Sequence, residues 1–237
     1  MAEPIFGALF DKDGTLFDFS ATWNAWAEAT LMSLADGDFR RAVELGELIS
    51  FDMEAGEFDA SSEVIAGTSD TIARLLQPGL PGRSVKDIED EVNERAAKAP
   101  QAEVVPLGPF IRELRALNLK IGVATNDSEM PARAHLASVG HEHSFDFIAG
   151  YDSGFGGKPA PGMCLGFAEA MGFSAKNVVM VGDSTHDLLA GRAAGMRTVA
   201  VLTGMATEEE LASYANIVLP DIGHLPDWIR TQNLVSN

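Results

Sequence analysis

Six short apolar runs, each ending among small or polar residues, set the tightest limit on what this chain can fold into. They are Ile5–Phe10, Leu119–Thr125, Phe145–Gly150, Asn177–Gly182, Arg197–Thr203 and Asn216–Leu219. A run that is apolar throughout suits a strand covered on both faces, as in a parallel sheet. Helical patterns lie between them. Phe110, Ile111, Leu114 and Leu117 fall on one face, Leu165, Ala168 and Met171 on another, and Thr207 with Glu210 forms a capping box. Strands alternating with helices of this length predict an α/β fold built on a doubly wound sheet.

Residues 18–104 read differently, with no strand and at least four helical stripes. Trp23, Trp26, Ala27, Leu31 and Leu34 make the first; Phe39, Val43 and Ile49 the second. Val64, Ile65, Thr68, Ile72, Leu75 and Leu76 make the third, and Val85, Ile88, Val92 and Ala96, begun by Ser84 with Asp87, the fourth. An inserted helical domain over 18–104 is expected, with residues 1–17 and 105–237 forming the sheet core and Pro106 and Pro109 marking the return.

In open α/β sheets ligands bind beyond the carboxyl ends of the strands, so the residues just after each run carry the functional expectation. After the first come Asp11, Lys12, Asp13, Gly14 and Thr15. After the second come Thr125, Asn126 and Asp127; after the fourth, Asp183 to Asp187; and Lys158 precedes a helix. A carboxylate can attack phosphorus and split hydrolysis into two displacements, and Asp11 is the candidate nucleophile. Asp13, two residues on in extended backbone, points the same way and can serve as general acid and base. Crowded carboxylates call for a hard cation, and Mg2+ takes oxygen ligands: Asp11, Asp183 and the main-chain carbonyl of Asp13. The Thr125 hydroxyl and the Asn126 backbone N–H can hold phosphoryl oxygens, and Lys158 supplies further positive charge.

The formal charge of −18, from 35 acidic against 17 basic side chains, disfavours nucleic acid and anionic membranes as partners. It would also repel a small phosphorylated metabolite, so the site must provide its own cations. The single cysteine, Cys164, rules out an intrachain disulfide and fits a reducing compartment. The N-terminal apolar run lacks a positive leader and no run is long enough to span a bilayer, so a cytoplasmic protein is expected. Nothing in the sequence sets an oligomeric state.

These segments resemble the haloacid dehalogenase superfamily of phosphohydrolases. D-x-D-G-T-L stands intact at Asp11–Leu16, the threonine motif matches Thr125, the Lys-Pro motif Lys158–Pro159, and G-D-S-x-x-D Gly182–Asp187. The resemblance implies a Rossmann-like core with a helical cap after the first strand. It implies Asp11 as nucleophile, Asp13 as general acid/base, Asp183 as metal ligand and Asp187 as a support of that site. Within the superfamily the chain is most similar to the phosphoglycolate phosphatase group, which implies 2-phosphoglycolate or another small phosphate monoester as substrate. A sugar phosphomutase and a non-catalytic phosphometabolite-binding protein are the alternatives; Asp13 points away from dehalogenation. Other features carry less. His135, His141 and His143 read as a solvated helix end and loop, Cys164 as packed, and Trp23 and Trp26 as cap core. Gly154–Lys158 lacks the spacing of a nucleotide-binding loop, and Asn126 or Asp127 is expected to cap the helix that follows.

Overall fold

A computed structural model of the chain describes residues 3–235. Strand β1 (Gly7–Phe10) leads into helices α1 (Phe19–Leu34) and α2 (Phe39–Leu48), a hairpin of β2 (Phe51–Asp52) and β3 (Glu57–Phe58), and helices α3 (Ser69–Leu76) and α4 (Val85–Ala96). After α5 (Leu107–Ala116) strand and helix alternate. The order is β4 (Lys120–Ala124), α6 (Glu129–Ser138), β5 (Phe147–Ala149), α7 (Gly162–Met171), β6 (Val178–Gly182) and α8 (Thr185–Ala194). Then come β7 (Arg197–Val201), α9 (Glu208–Ala212), β8 (Ile217–Leu219) and α10 (Leu225–Val235).

All six predicted strands join one parallel sheet in the order β5-β4-β1-β6-β7-β8. Phe10 of β1 lies in register with Val123 on one side and Val181 on the other. The chain therefore extends the sheet in opposite directions from β1, and a crevice opens at that strand's carboxyl end. The continuous apolar runs have the expected cause. Ala8 and Phe10 pack with Phe110, Leu136 and Ile229 on one face, while Leu9 packs with Met163, Phe167 and Ala190 on the other. Each fully buried side chain of this kind contributes about 1.5–3 kcal/mol.

The segment between β1 and α5 has its own core, in which Trp26, Leu31, Leu45, Phe51, Leu76 and Ile88 are buried together. Capping boxes start α4 (Ser84 with Asp87) and α9 (Thr207 with Glu210) as the sequence predicts. Several local expectations are corrected. The insert is not strand-free, because β2 and β3 pair Phe51 with Phe58, whose rings meet edge to face 4.8 Å apart. The third stripe is not wholly helical: α3 starts only after Thr68, which caps it, and Val64 and Ile65 lie on the loop before. Phe39 and Leu165 are exposed rather than core-facing; Ala42, Leu45 and Gly46 face inward on α2, and Cys164 and Phe167 on α7. Ser128, rather than Asn126 or Asp127, occupies the N-cap of α6. Among the described residues no helix is long and apolar enough to cross a membrane.

Candidate active site

Asp11 follows the last residue of β1, and its backbone N–H donates to the Val181 carbonyl of β6 at 2.8 Å. The loop beyond is tight: Gly14 N–H donates to Phe17 O at 2.7 Å and Phe17 N–H to Lys12 O at 3.0 Å. Gly14 has φ +76°, and a Cβ there would lie 2.4 Å from Asp183 Oδ2, so conformation and space both demand glycine. Gly204, after β7, is excluded from growing by space alone: a Cβ would sit 1.7 Å from Asp183 Oδ2.

The ends of β1, β4 and β6 and the loop before α7 bring Asp11, Thr125, Lys158, Asp183 and Asp187 to one pocket. Lys158 Nζ donates to Asp11 Oδ1 at 2.5 Å and to Asp187 Oδ1 at 2.6 Å. Asp187 Oδ2 accepts from the backbone and hydroxyl of Ser184, and Asp183 Oδ1 from the Thr15 hydroxyl at 3.0 Å. The Thr125 hydroxyl accepts from Asp127 N–H at 3.1 Å. Asn126 spans two segments. Its side chain donates to the carbonyls of Ala66 and Lys158 and accepts from Lys158 N–H, tying the loop before α3 to the lysine that faces Asp11.

Three carboxylates share this pocket with one ammonium. Asp11, Asp183 and Asp187 each present an oxygen within 4.8 Å of the others. Burial pushes the Asp11 carboxyl up to about 7 against the pull of Lys158, with Asp187 and Asp13 adding to the rise. Asp183 is driven well above the carboxylate range by burial and by Asp11 and Asp187. Hard oxygen donors carrying more negative charge than Lys158 balances fit a divalent cation such as Mg2+. Asp187 is already engaged by Lys158 and Ser184, which leaves Asp11 and Asp183 the freer pair.

The Asp13 side chain lies apart from that trio. Lys12 Nζ contacts its two oxygens at 2.7 and 2.6 Å and Asp127 Oδ2 at 3.0 Å. Burial and Asp127 raise the Asp13 carboxyl, although Lys12 opposes them. His135 is not solvated as expected. It is 1% exposed, receives Lys12 Nζ at Nδ1 (2.9 Å) and contacts the Ala96 carbonyl through Nε2 (2.6 Å). His141 and His143 are partly or fully exposed.

Residues 7–195 match the family model of the haloacid dehalogenase-like hydrolases. The chain belongs to this family. A phosphoglycolate phosphatase of Neisseria meningitidis serogroup A is 37% identical over 116 residues, 48% of this chain and 49% of that protein. The chain thus matches about half the length of the first of its curated relatives. Hexitol phosphatase B of Escherichia coli O157:H7 is 26% identical over 227 residues, covering 93% of this chain and 94% of that one. CbbY from Rhodobacter sphaeroides, solved with phosphate, superposes with a TM-score of 0.72 over 93% of this chain and 96% of its own, at 23% identity. That last likeness is one of fold.

As a haloacid dehalogenase-like hydrolase, the chain should show the charge excess of its pocket in its stability. Asp11 has its folded value near 7 and its unfolded value near 3.8, so the folded protein binds the extra proton between them. The cost of ionising it is present in full above about pH 7 and fades on acidification. Metal-free protein is therefore expected to melt higher at pH 6.5 than at pH 8.5. His135, pushed down to about 4 from 6.5, opposes this and offsets part of the gain already at pH 6.5, where an unfolded histidine is half protonated. Mg2+ should raise the melting temperature more at pH 8.5 than at pH 6.5. Melts in EDTA and in excess Mg2+ check both; a metal-free protein that melts lower at pH 6.5 than at pH 8.5 contradicts the charge assignment.

Proposed function

We propose that the protein is a Mg2+-dependent phosphatase that hydrolyses a small phosphate monoester through an aspartyl phosphate on Asp11, with residues 18–104 acting as the cap over residues 1–17 and 105–237. The observation that carries this is Asp11 at the end of the central strand, held by Lys158 beside Asp183 and Asp187. A carboxylate oxygen of Asp11 attacks phosphorus, the P–O bond to the alcohol breaks, and Asp13 delivers a proton to the departing oxygen. Water then attacks the acyl phosphate, gives its proton to Asp13 and restores Asp11 as inorganic phosphate leaves. A carboxyl held above its usual range, as Asp13 is, suits the donor half of that cycle. Lys158 steadies the charge on the phosphoryl oxygens, and the Thr125 hydroxyl and Asn126 N–H grip them in this reading. Asp11, Asp183 and the Asp13 carbonyl, with Asp187 in support, would hold Mg2+, which would supply charge neutralisation at those oxygens.

The test is phosphate release across a panel of phosphorylated metabolites, with 2-phosphoglycolate included because a relative is named for it. Turnover of at least one ester that requires Mg2+ and stops in EDTA is expected. No release from any ester with Mg2+ present overturns the proposal.

A further inference from the structure

The two sides of the catalytic pocket differ sharply in charge. The sheet side carries Asp11, Asp183, Asp187 and Lys158, whereas the cap side is Phe19, Trp23, Val64, Ile65 and Ile72. None of these five can carry a charge. The pocket holds about 50 Å3, room for a few waters, and continues into a cavity of about 690 Å3 at its mouth. The mouth is lined by the hydroxyl side chains of Ser61, Thr68, Thr71 and Thr185, together with Glu63 and Glu210. Among the described residues lining either cavity, Lys158 is the only lysine or arginine, and Asp11 and Asp187 both hold it. Lys12 is wholly buried and committed to Asp13 and Asp127. His186 is the one other basic side chain on these walls.

A phosphate ester must turn its alcohol portion toward the cap when its phosphorus faces Asp11. A carboxylate or a second phosphate there would lose water against an apolar wall and meet carboxylates at the mouth, with no arginine or lysine to repay it. Carbon-bound hydrogens lose nothing against that wall, and hydroxyls find partners farther out. The geometry points to a phosphate monoester of a small uncharged alcohol as the substrate, with anionic leaving groups selected against. This rests on the phosphatase proposal and narrows it. It also separates the chain from relatives named for phosphoglycolate, whose leaving group carries a carboxylate.

The experiment compares esters matched in shape and differing in charge, each assayed with Mg2+. The pairs are 2-hydroxyethyl phosphate with 2-phosphoglycolate, glycerol 2-phosphate with glycerate 2-phosphate, and a hexitol 6-phosphate with 6-phosphogluconate. The neutral member of each pair that is turned over is expected to show a kcat/KM at least tenfold higher. Equal or better turnover of the anionic members overturns the inference and leaves the phosphatase proposal standing. Silence of all six, together with the wider panel, overturns both. Ile65→Arg, on the partly exposed loop, should shift the ratio toward the anionic ester by tenfold or more, and an unshifted ratio in a folded variant counts against the wall as its origin. His186→Asn should keep the neutral preference; its collapse in that variant would assign selectivity to the imidazole instead.

Discussion

Asp11→Asn is expected to lower kcat by about 10,000-fold or more while making the metal-free protein more stable at pH 8.5. An amide of the same shape cannot form the acyl phosphate, and loss of a covalent nucleophile typically costs this much. The stability gain follows from the pocket's charge. Asp11 has its carboxyl raised to about 7, so its ionised form weakens the fold above that pH, and removing the charge relieves Asp183 and Asp187 as well. Lys158 keeps Asp187 as a partner at 2.6 Å, so the lysine is not stranded. The two effects have opposite signs, and that separates lost chemistry from lost structure. Single-turnover phosphate release and a thermal melt on the same sample check them. A variant that turns over at the wild-type rate removes Asp11 from its role, whatever its melting temperature does.

The strands were legible because each is sandwiched between helical layers, so their residues are apolar without alternation. β1 sends Ala8 and Phe10 to one core and Leu9 to the other, and neither face leaves a polar trace. The hairpin of β2 and β3 was not legible, since two residues per strand hold no period, and only the packing of Phe51 on Phe58 marks it. Val64 and Ile65 mimic a helical stripe because they are apolar for another reason, facing the pocket from a loop. In the site, the convergence of Asp11, Thr125, Lys158 and Asp183 followed from each standing after a strand or before a helix at one sheet edge. The link from Asp187 to Lys158 could not be read, because it depends on the path of the loop before α7. Gly204 left no signal either, as nothing local says that a carboxylate lies against it. Lys12 is the more instructive residue. Strict backbone alternation would send its side chain away from those of Asp11 and Asp13 and into solvent, whereas its ammonium turns back onto both Asp13 oxygens. Here it is wholly buried against Asp13, Asp127 and His135.

Lys12→Met is expected to cost about 3–5 kcal/mol of stability, the largest loss from any single substitution discussed for this protein. The lysine is 0% exposed, with Asp13 and Asp127 as ion partners and its ammonium 5.5 Å from the centroid of the Trp23 ring. Burial works against its charge, but Asp127 and Asp13 outweigh that and hold the ammonium above its ordinary range. An ammonium can only donate, so His135 must accept at Nδ1 and donate from Nε2 to the Ala96 carbonyl, which fixes it as the neutral ring. The same requirement accounts for its fall to about 4, through burial first and Lys12 second. One side chain thus links the loop after β1, helix α6 and the C-terminal end of α4. Methionine preserves the apolar stem and removes the charge, leaving Asp13 and Asp127 adjacent without a cation. Asp13, raised already and now without the lysine that opposes the rise, then binds a proton more readily in the folded state than in the unfolded one, so the loss should be full at pH 8 and shrink toward pH 5. For a chain of this length, about 2–4 °C per kcal/mol puts the fall in melting temperature at roughly 6–20 °C. Urea denaturation at the two pH values measures it. A Lys12→Met protein within about 1 kcal/mol of wild type at pH 8 would mean that the buried pair contributes no more than a surface one.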